Sequence, residues 1–136
     1  MNQLILDTGG YAILLPESQK GGYTAYEEPL SVDLVMLPGN MVRELRGTVW
    51  RVNYQYGYFT DEEKNNLLAA CKKGRNEPIL CAFLPPNSTE MISSEFFVTA
   101  FASPKFMWSR EGKPMWGDFS VELREVTPHD LSLIHI

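Results

Sequence analysis

The clearest alternation of apolar and polar positions lies at residues 48–58, where Trp50, Val52, Tyr54 and Tyr56 share one parity and Arg51, Asn53 and Gln55 the other. A period of two puts one face on a core and the other in water, so this segment is a strand. Apolar runs at 4–6 and 12–15, split by the turn-forming pair Gly9-Gly10, predict a strand or hairpin. Residues 31–37 form another strand, stopped by Pro38-Gly39-Asn40, and 79–84 a buried one between Pro78 and Pro85-Pro86. In 91–101, Phe97, Thr99 and Phe101 oppose Phe96, Val98 and Ala100. Both faces are apolar, which predicts a central strand covered on one side by a helix or a second sheet. Residues 105–109 and 114–126 read as a hairpin joined through Arg110-Glu111-Gly112-Lys113, with Phe119, Val121 and Leu123 pointing one way and Ser120, Glu122 and Arg124 the other.

One segment switches to helical spacing. Thr60 stands three residues before Glu63 as a capping box, and Asp61 and Glu62 occupy the electropositive first turn. Leu67, Leu68 and Cys71 share one side, Lys72 and Lys73 suit the negative end, and Gly74 is placed to stop the helix. The prediction is a helix over about 61–73. Between Pro16 and Pro29 the sequence PESQKGGYTAYEEP has neither period and predicts a long loop at 16–29. The fold class is therefore mainly β (α+β), an antiparallel β-sandwich or barrel of about seven to eight strands flanked by one α-helix.

At 136 residues, 44% hydrophobic and 21% charged, the chain is sized for one domain, taken as 1–130. Twelve basic against 17 acidic residues give a net charge of -5, which argues against specific nucleic-acid binding through phosphate neutralisation. No apolar run is long enough to span a bilayer and the N-terminus lacks a secretory pattern, so no membrane role and cytoplasmic synthesis are expected. Residues 131–136, Leu-Ser-Leu-Ile-His-Ile, back-translate as CTG TCT CTT ATA CAC ATC, the string of a transposase adapter from short-read libraries. They are expected to be adapter-derived and not native, and His135 leaves the list of chemical groups with them.

Candidate chemistry is sparse. Cys71 and Cys81 are too few for a disulfide framework, lack the spacing of a zinc site, and read as small buried hydrophobes. A couple of either thiol with His129 is the remaining nucleophilic arrangement, set against the commoner inert buried cysteine. Asp61, Glu62 and Glu63 point in different directions on a helix and so read as a cap, not a metal site. The expectation is no enzyme, no cofactor and no metal. Aromatic residues make up 12% of the chain. Most suit a core, but Trp108 and Trp116, with Phe106, Met107 and Met115, flank the predicted hairpin turn as an apolar tip that covers the barrel end or meets another subunit.

The order of features resembles small tail proteins of tailed bacteriophages and prophages, distantly similar to the tail-tube and distal-tail group. It is carried by Thr48-Val49-Trp50-Arg51-Val52, Phe59-Thr60-Asp61-Glu62-Glu63, residues 79–84, Phe96-Phe97-Val98, and the closing run from Trp116 through Phe119 and Leu123 to Glu125. The resemblance covers about residues 30–126 and implies a β-sandwich or barrel with one helix, assembled into a ring as a virion structural protein. Its implied partners are copies of itself and other tail proteins, and its implied location is the host cytoplasm during synthesis, then the virion tail. Phage genes are frequent in metagenomic assemblies, the source that the adapter implies. The subunit-contact candidates are Tyr23 and Tyr26 in the 16–29 loop, with Phe106, Met107, Trp108, Met115 and Trp116. The alternative is a small carbohydrate-binding module using Trp108, Trp116 and nearby tyrosines as an exposed aromatic strip.

Overall fold

A computed structural model describes residues 3–8, 12–16, 18, 21–35 and 38–129, with backbone alone for 32–34 and 42–45. In chain order its elements are β1 (Leu4–Asp7), β2 (Ala12–Leu14), β3 (Tyr23–Val35), β4 (Met41–Tyr56), β5 (Phe59–Thr60), α1 (Asp61–Asn76), β6 (Ile79–Phe83), β7 (Ile92–Ala102), β8 (Lys105–Arg110), β9 (Lys113–Gly117) and β10 (Phe119–Glu125). Seven strands form one antiparallel sheet in the order β2-β1-β6-β7-β10-β4-β3, and β5-β9-β8 form a second. The mainly β, sandwich-like class with one helix is the one expected. Gly9-Gly10, and residues 131–136 with their adapter reading, lie outside the described residues.

The large sheet curls. Neighbouring strands lie roughly 4.8 Å apart, so β4 and β6, with β7 and β10 between them, would be about 14 Å apart in a flat sheet. Instead the rings of Trp50 on β4 and Phe83 on β6 meet edge-on at 5.3 Å. The Tyr23 hydroxyl on β3 donates to the Leu84 carbonyl at 2.6 Å and accepts from the Leu84 amide at 3.0 Å. The Tyr54 hydroxyl donates to the Pro16 carbonyl at 2.7 Å. These bonds draw the β3–β4 end of the sheet around to the β6 end. Inside the curl lies one core, in which Leu4, Leu6, Tyr54, Phe83, Phe96, Phe119 and Leu123 are each at most 1% exposed.

Helix α1 closes the open side. Thr60 and Glu63 form the reciprocal capping box, and Leu67, Ala70 and Cys71 enter the core. The helix runs three residues past the predicted stop, because Gly74 is a packing residue and not a terminator. A Cβ there would lie 2.5 Å from Val98 Cγ2 on β7, so the missing side chain sets how closely α1 approaches the sheet. The Lys73 ammonium donates to the Thr8 carbonyl and ties the helix end to the segment after β1.

Three other expectations change. The second half of the 16–29 loop is strand, because Tyr23 and Ala25 face inward opposite Tyr54 and Val52 in the β3–β4 ladder. That ladder is a long-range pairing, whereas Gly and Pro are local signals, and here the pairing wins. The closing strand 114–126 breaks at Asp118, whose φ of 58° is left-handed and carries the chain from the small sheet to the large one. In β7 the ladder passes from Val98 to Ala100 and leaves Thr99 bulged, so Phe96, Val98 and Phe101 share the inner face. Two-residue periodicity cannot show such a switch.

The small sheet is held against the body by close backbone approach. A Cβ on Gly117 would lie 2.2 Å from the Gly57 carbonyl oxygen. Gly117→Ala is therefore expected to lower unfolding free energy by at least about 1–3 kcal/mol, read as a reduced urea midpoint. Trp50→Ala, at a half-buried site against Phe83, is expected to cost about 2–4 kcal/mol by the same measurement. Burial pushes the Cys71 thiol from about 9 up to about 12, and Tyr23 from about 10 up to about 12. Unfolded chains ionise these groups first, so their contribution is intact below about pH 9 and falls as pH rises from 9 to 12. Urea midpoints across that range are expected to decline.

Candidate subunit interface

Hairpin β8–β9 turns through Glu111 and Gly112, with φ of 52° and 78°, as a two-residue loop with both positions left-handed. This geometry presents β8 as an outer strand. It pairs with β9 on one side and with no strand among the described residues on the other, and all six of its residues are exposed. Phe106, Met107 and Trp108 are 57, 42 and 41% exposed, an unusual concentration of large apolar side chains on a free edge.

The neighbouring strand anchors this edge. Trp116 on β9 donates its indole N–H to Asp61 Oδ1 at 3.1 Å, and the Lys64 ammonium sits 3.8 Å from the centre of its ring. Lys64 also pairs with Asp61 at 3.4 Å. Asp61 and Glu63 thus act in the cap and hairpin anchor. Trp116 and Met115 are half-buried, so these two candidates belong to the support of the hairpin, while Phe106, Met107 and Trp108 form its outward face. Trp108 packs on Tyr58 at 5.2 Å, Tyr58 on Tyr56 at 6.1 Å and Tyr56 on Phe59 at 5.4 Å, linking the edge to the core through aromatic contacts.

Sugar stacking needs exposed rings presenting a common plane. Trp108 and Tyr58 are inclined by 58°, and Phe106 and Trp116 by 85°. The aromatic strip therefore offers edges and ridges instead of a flat platform.

Tyr23 and Tyr26 separate. Tyr23, expected to anchor in a neighbour, turns inward and hydrogen-bonds Leu84 of its own chain. Tyr26 lies on the outer face, 39% exposed, on a β3 whose far edge has no partner strand among the described residues. Its neighbour Glu28 pairs with Arg51 at 3.4 Å. An open groove of about 480 Å³ runs between Tyr26, Glu27 and Trp50 on one side and residues 85–88 on the other.

Below this groove is a polar cluster that parity alone did not bring out. Glu125 is 3% exposed; its Oε1 accepts from the Trp50 amide at 3.1 Å and its Oε2 from the Ser94 hydroxyl at 2.5 Å. His129 Nδ1 lies 2.9 Å from the same Oε1, its Nε2 is 3.7 Å from Glu27, and its ring stacks on Trp50 at 5.3 Å. The signal in the sequence was Glu125 itself, which continues the inward parity of Phe119, Val121 and Leu123. Ser94 and His129 both address the carboxylate, so the hydroxyl has no imidazole base. Burial raises both thiols, Cys71 to about 12, which keeps them protonated near neutral pH and poor as nucleophiles. The cluster clamps the segment after β10 across β4, with the His129 amide donating to the Thr48 carbonyl at 3.0 Å.

No family profile and no curated protein matches the chain. Among solved structures, it is similar to a chain from the tail of an empty gene transfer agent (GTA) particle, solved by helical refinement with C6 symmetry. The two share 15% sequence identity and superpose with a TM-score of 0.54, over 92% of this chain and 90% of that chain. The mainly β architecture with one helix is therefore a fold that also occurs in the tail of a phage-like particle.

Proposed function

We propose that this chain is a structural protein of a phage-like tail, of tail-tube or baseplate type, which assembles with copies of itself into a closed ring and stacks on other tail proteins. The observation carrying this reading is the end-to-end fold match to a chain from a tail of C6 symmetry. Free edges at β3 and β8, together with the exposed Phe106, Met107 and Trp108, add physical support, since unpaired strand edges template pairing with another chain. The distal part of the β3–β4 ribbon, where Ser31 to Val35 pair with Leu45 to Met41, makes no ladder with β10, which joins β4 only from Arg51 onward. It is a two-stranded extension from the body, suited to reaching an adjacent subunit. A net charge of -5 would let DNA pass through such a ring without adhering. The protein works through its surfaces and carries out no catalysis.

Light scattering after size-exclusion chromatography, with negative-stain electron microscopy of the same fractions, tests this. The expected outcome is a defined ring, or a tube of stacked rings, with rotational symmetry. A monomer at every concentration, alone and after mixing with tail lysates, would overturn the reading.

A further inference from the structure

Four strand edges lack a partner among the described residues: β2 and β3 at the ends of the large sheet, and β8 and the two-residue β5 at the ends of the small one. Resting on the tail reading, we infer that β8 of one copy adds to the β3 edge of the next at residues 23–28, with its apolar side chains entering the groove beside Tyr26.

Length selects this pair. Strand β8 has six residues, with Met107 bulged in its ladder to β9, and β3 offers six from Tyr23 to Glu28 before Pro29, which lacks an N–H, and a bulge between Pro29 and Ser31 interrupt the edge. Strand β2, with three residues, matches only half of β8.

Charge selects it again. Strand β8 begins at Lys105 and ends at Arg110, with Lys113 just beyond the turn, whereas residues 23–35 carry Glu27, Glu28 and Asp33 and neither Lys nor Arg. Either strand direction sets one basic end of β8 beside Glu28. Two β8 strands paired with each other antiparallel would instead place Lys105 against Arg110, which like-charge repulsion disfavours.

The groove supplies the pocket. Its walls, Tyr26 and Trp50 on one side and Pro85 and Pro86 on the other, are suited to Phe106 or Trp108, which are the most exposed rings on β8. Main-chain hydrogen bonds would give the added strand its affinity and the groove its specificity. The contact uses different surfaces on its two sides, so each copy keeps one donor edge and one acceptor edge. Such a heterologous contact propagates and closes as a ring when the rotation permits.

Two full-length variants, Tyr26→Cys and Met107→Cys, test the contact. Both positions are mid-strand and exposed, so either strand direction brings them together and neither substitution opens the core. Treated with a short bis-maleimide, the mixture is expected to give a species of twice the chain mass, at least tenfold more than either variant alone. Wild-type chains, whose two cysteines are buried, serve as the unlinked control. Separately, Lys105→Glu with Arg110→Glu, and Glu27→Lys with Glu28→Lys, are each expected to weaken association at least tenfold, and mixing the two double variants is expected to restore it. Absence of the cross-link from mixtures whose wild-type parent forms rings would overturn this edge pairing and leave the tail reading standing. Absence of the cross-link with a monomeric wild type would overturn both. Double variants that assemble as well as the wild type would also overturn the pairing.

Discussion

The curl of the seven-stranded sheet is the constraint on which the rest of the molecule depends. Contact between Trp50 and Phe83 across two intervening strands requires it, and the Tyr23 and Tyr54 hydroxyls hold it through carbonyls on the opposite side. A sheet bent this far encloses its inner face and needs only one helix to finish the core. Gly74 lets that helix settle on Val98 without a side chain between them. The large aromatic residues suit this arrangement, since each removes a large apolar area from water while filling a strongly curved space.

The same curl leaves edges over. A fully closed barrel has none, but here β3 comes round only as far as the Leu84 backbone and bonds to it through a tyrosine hydroxyl, not through a ladder. A groove remains between the β3 edge and the loop after β6. The small sheet, displaced from the large one at Asp118, holds β8 away from the body with both its faces exposed. A chain intended to remain alone would protect such an edge with charge along its length or proline within it. This one confines charge to the two ends of β8 and places aromatic residues between them.

Polar chemistry in the molecule is directed to holding these pieces in place. Asp61 and Lys64 fix Trp116 and so the hairpin, and Glu125 gathers Trp50, Ser94 and His129 into a clamp across β4. Neither cluster leaves a nucleophile beside a base. The first sets the position of the β8–β9 hairpin, and the second fixes the segment after β10 against β4.

Much of this was legible along the chain. Alternation at 48–58, the capping box at Thr60 and Glu63, and the apolar runs at 79–84 and 91–101 each report a local periodicity or a local hydrogen bond. They therefore determined the strands, the helix start and the mainly β class. The exposure of Phe106, Met107 and Trp108 was legible because three large apolar residues beside a turn have no local way to be buried. What needed three dimensions was everything set by distant partners. Residues 23–28 become strand only because β4 pairs with them, and Tyr23 turns inward only because Leu84 arrives opposite it. Gly74 reads as a helix stop until Val98 shows why it lacks a side chain, the bulge at Thr99 reassigns a face that parity had placed wrongly, and the break at Asp118 divides between two sheets what read as one strand. Sequence period determined which residues share a face; long-range pairing decided which strands are neighbours, because register is a property of two segments and neither carries it alone.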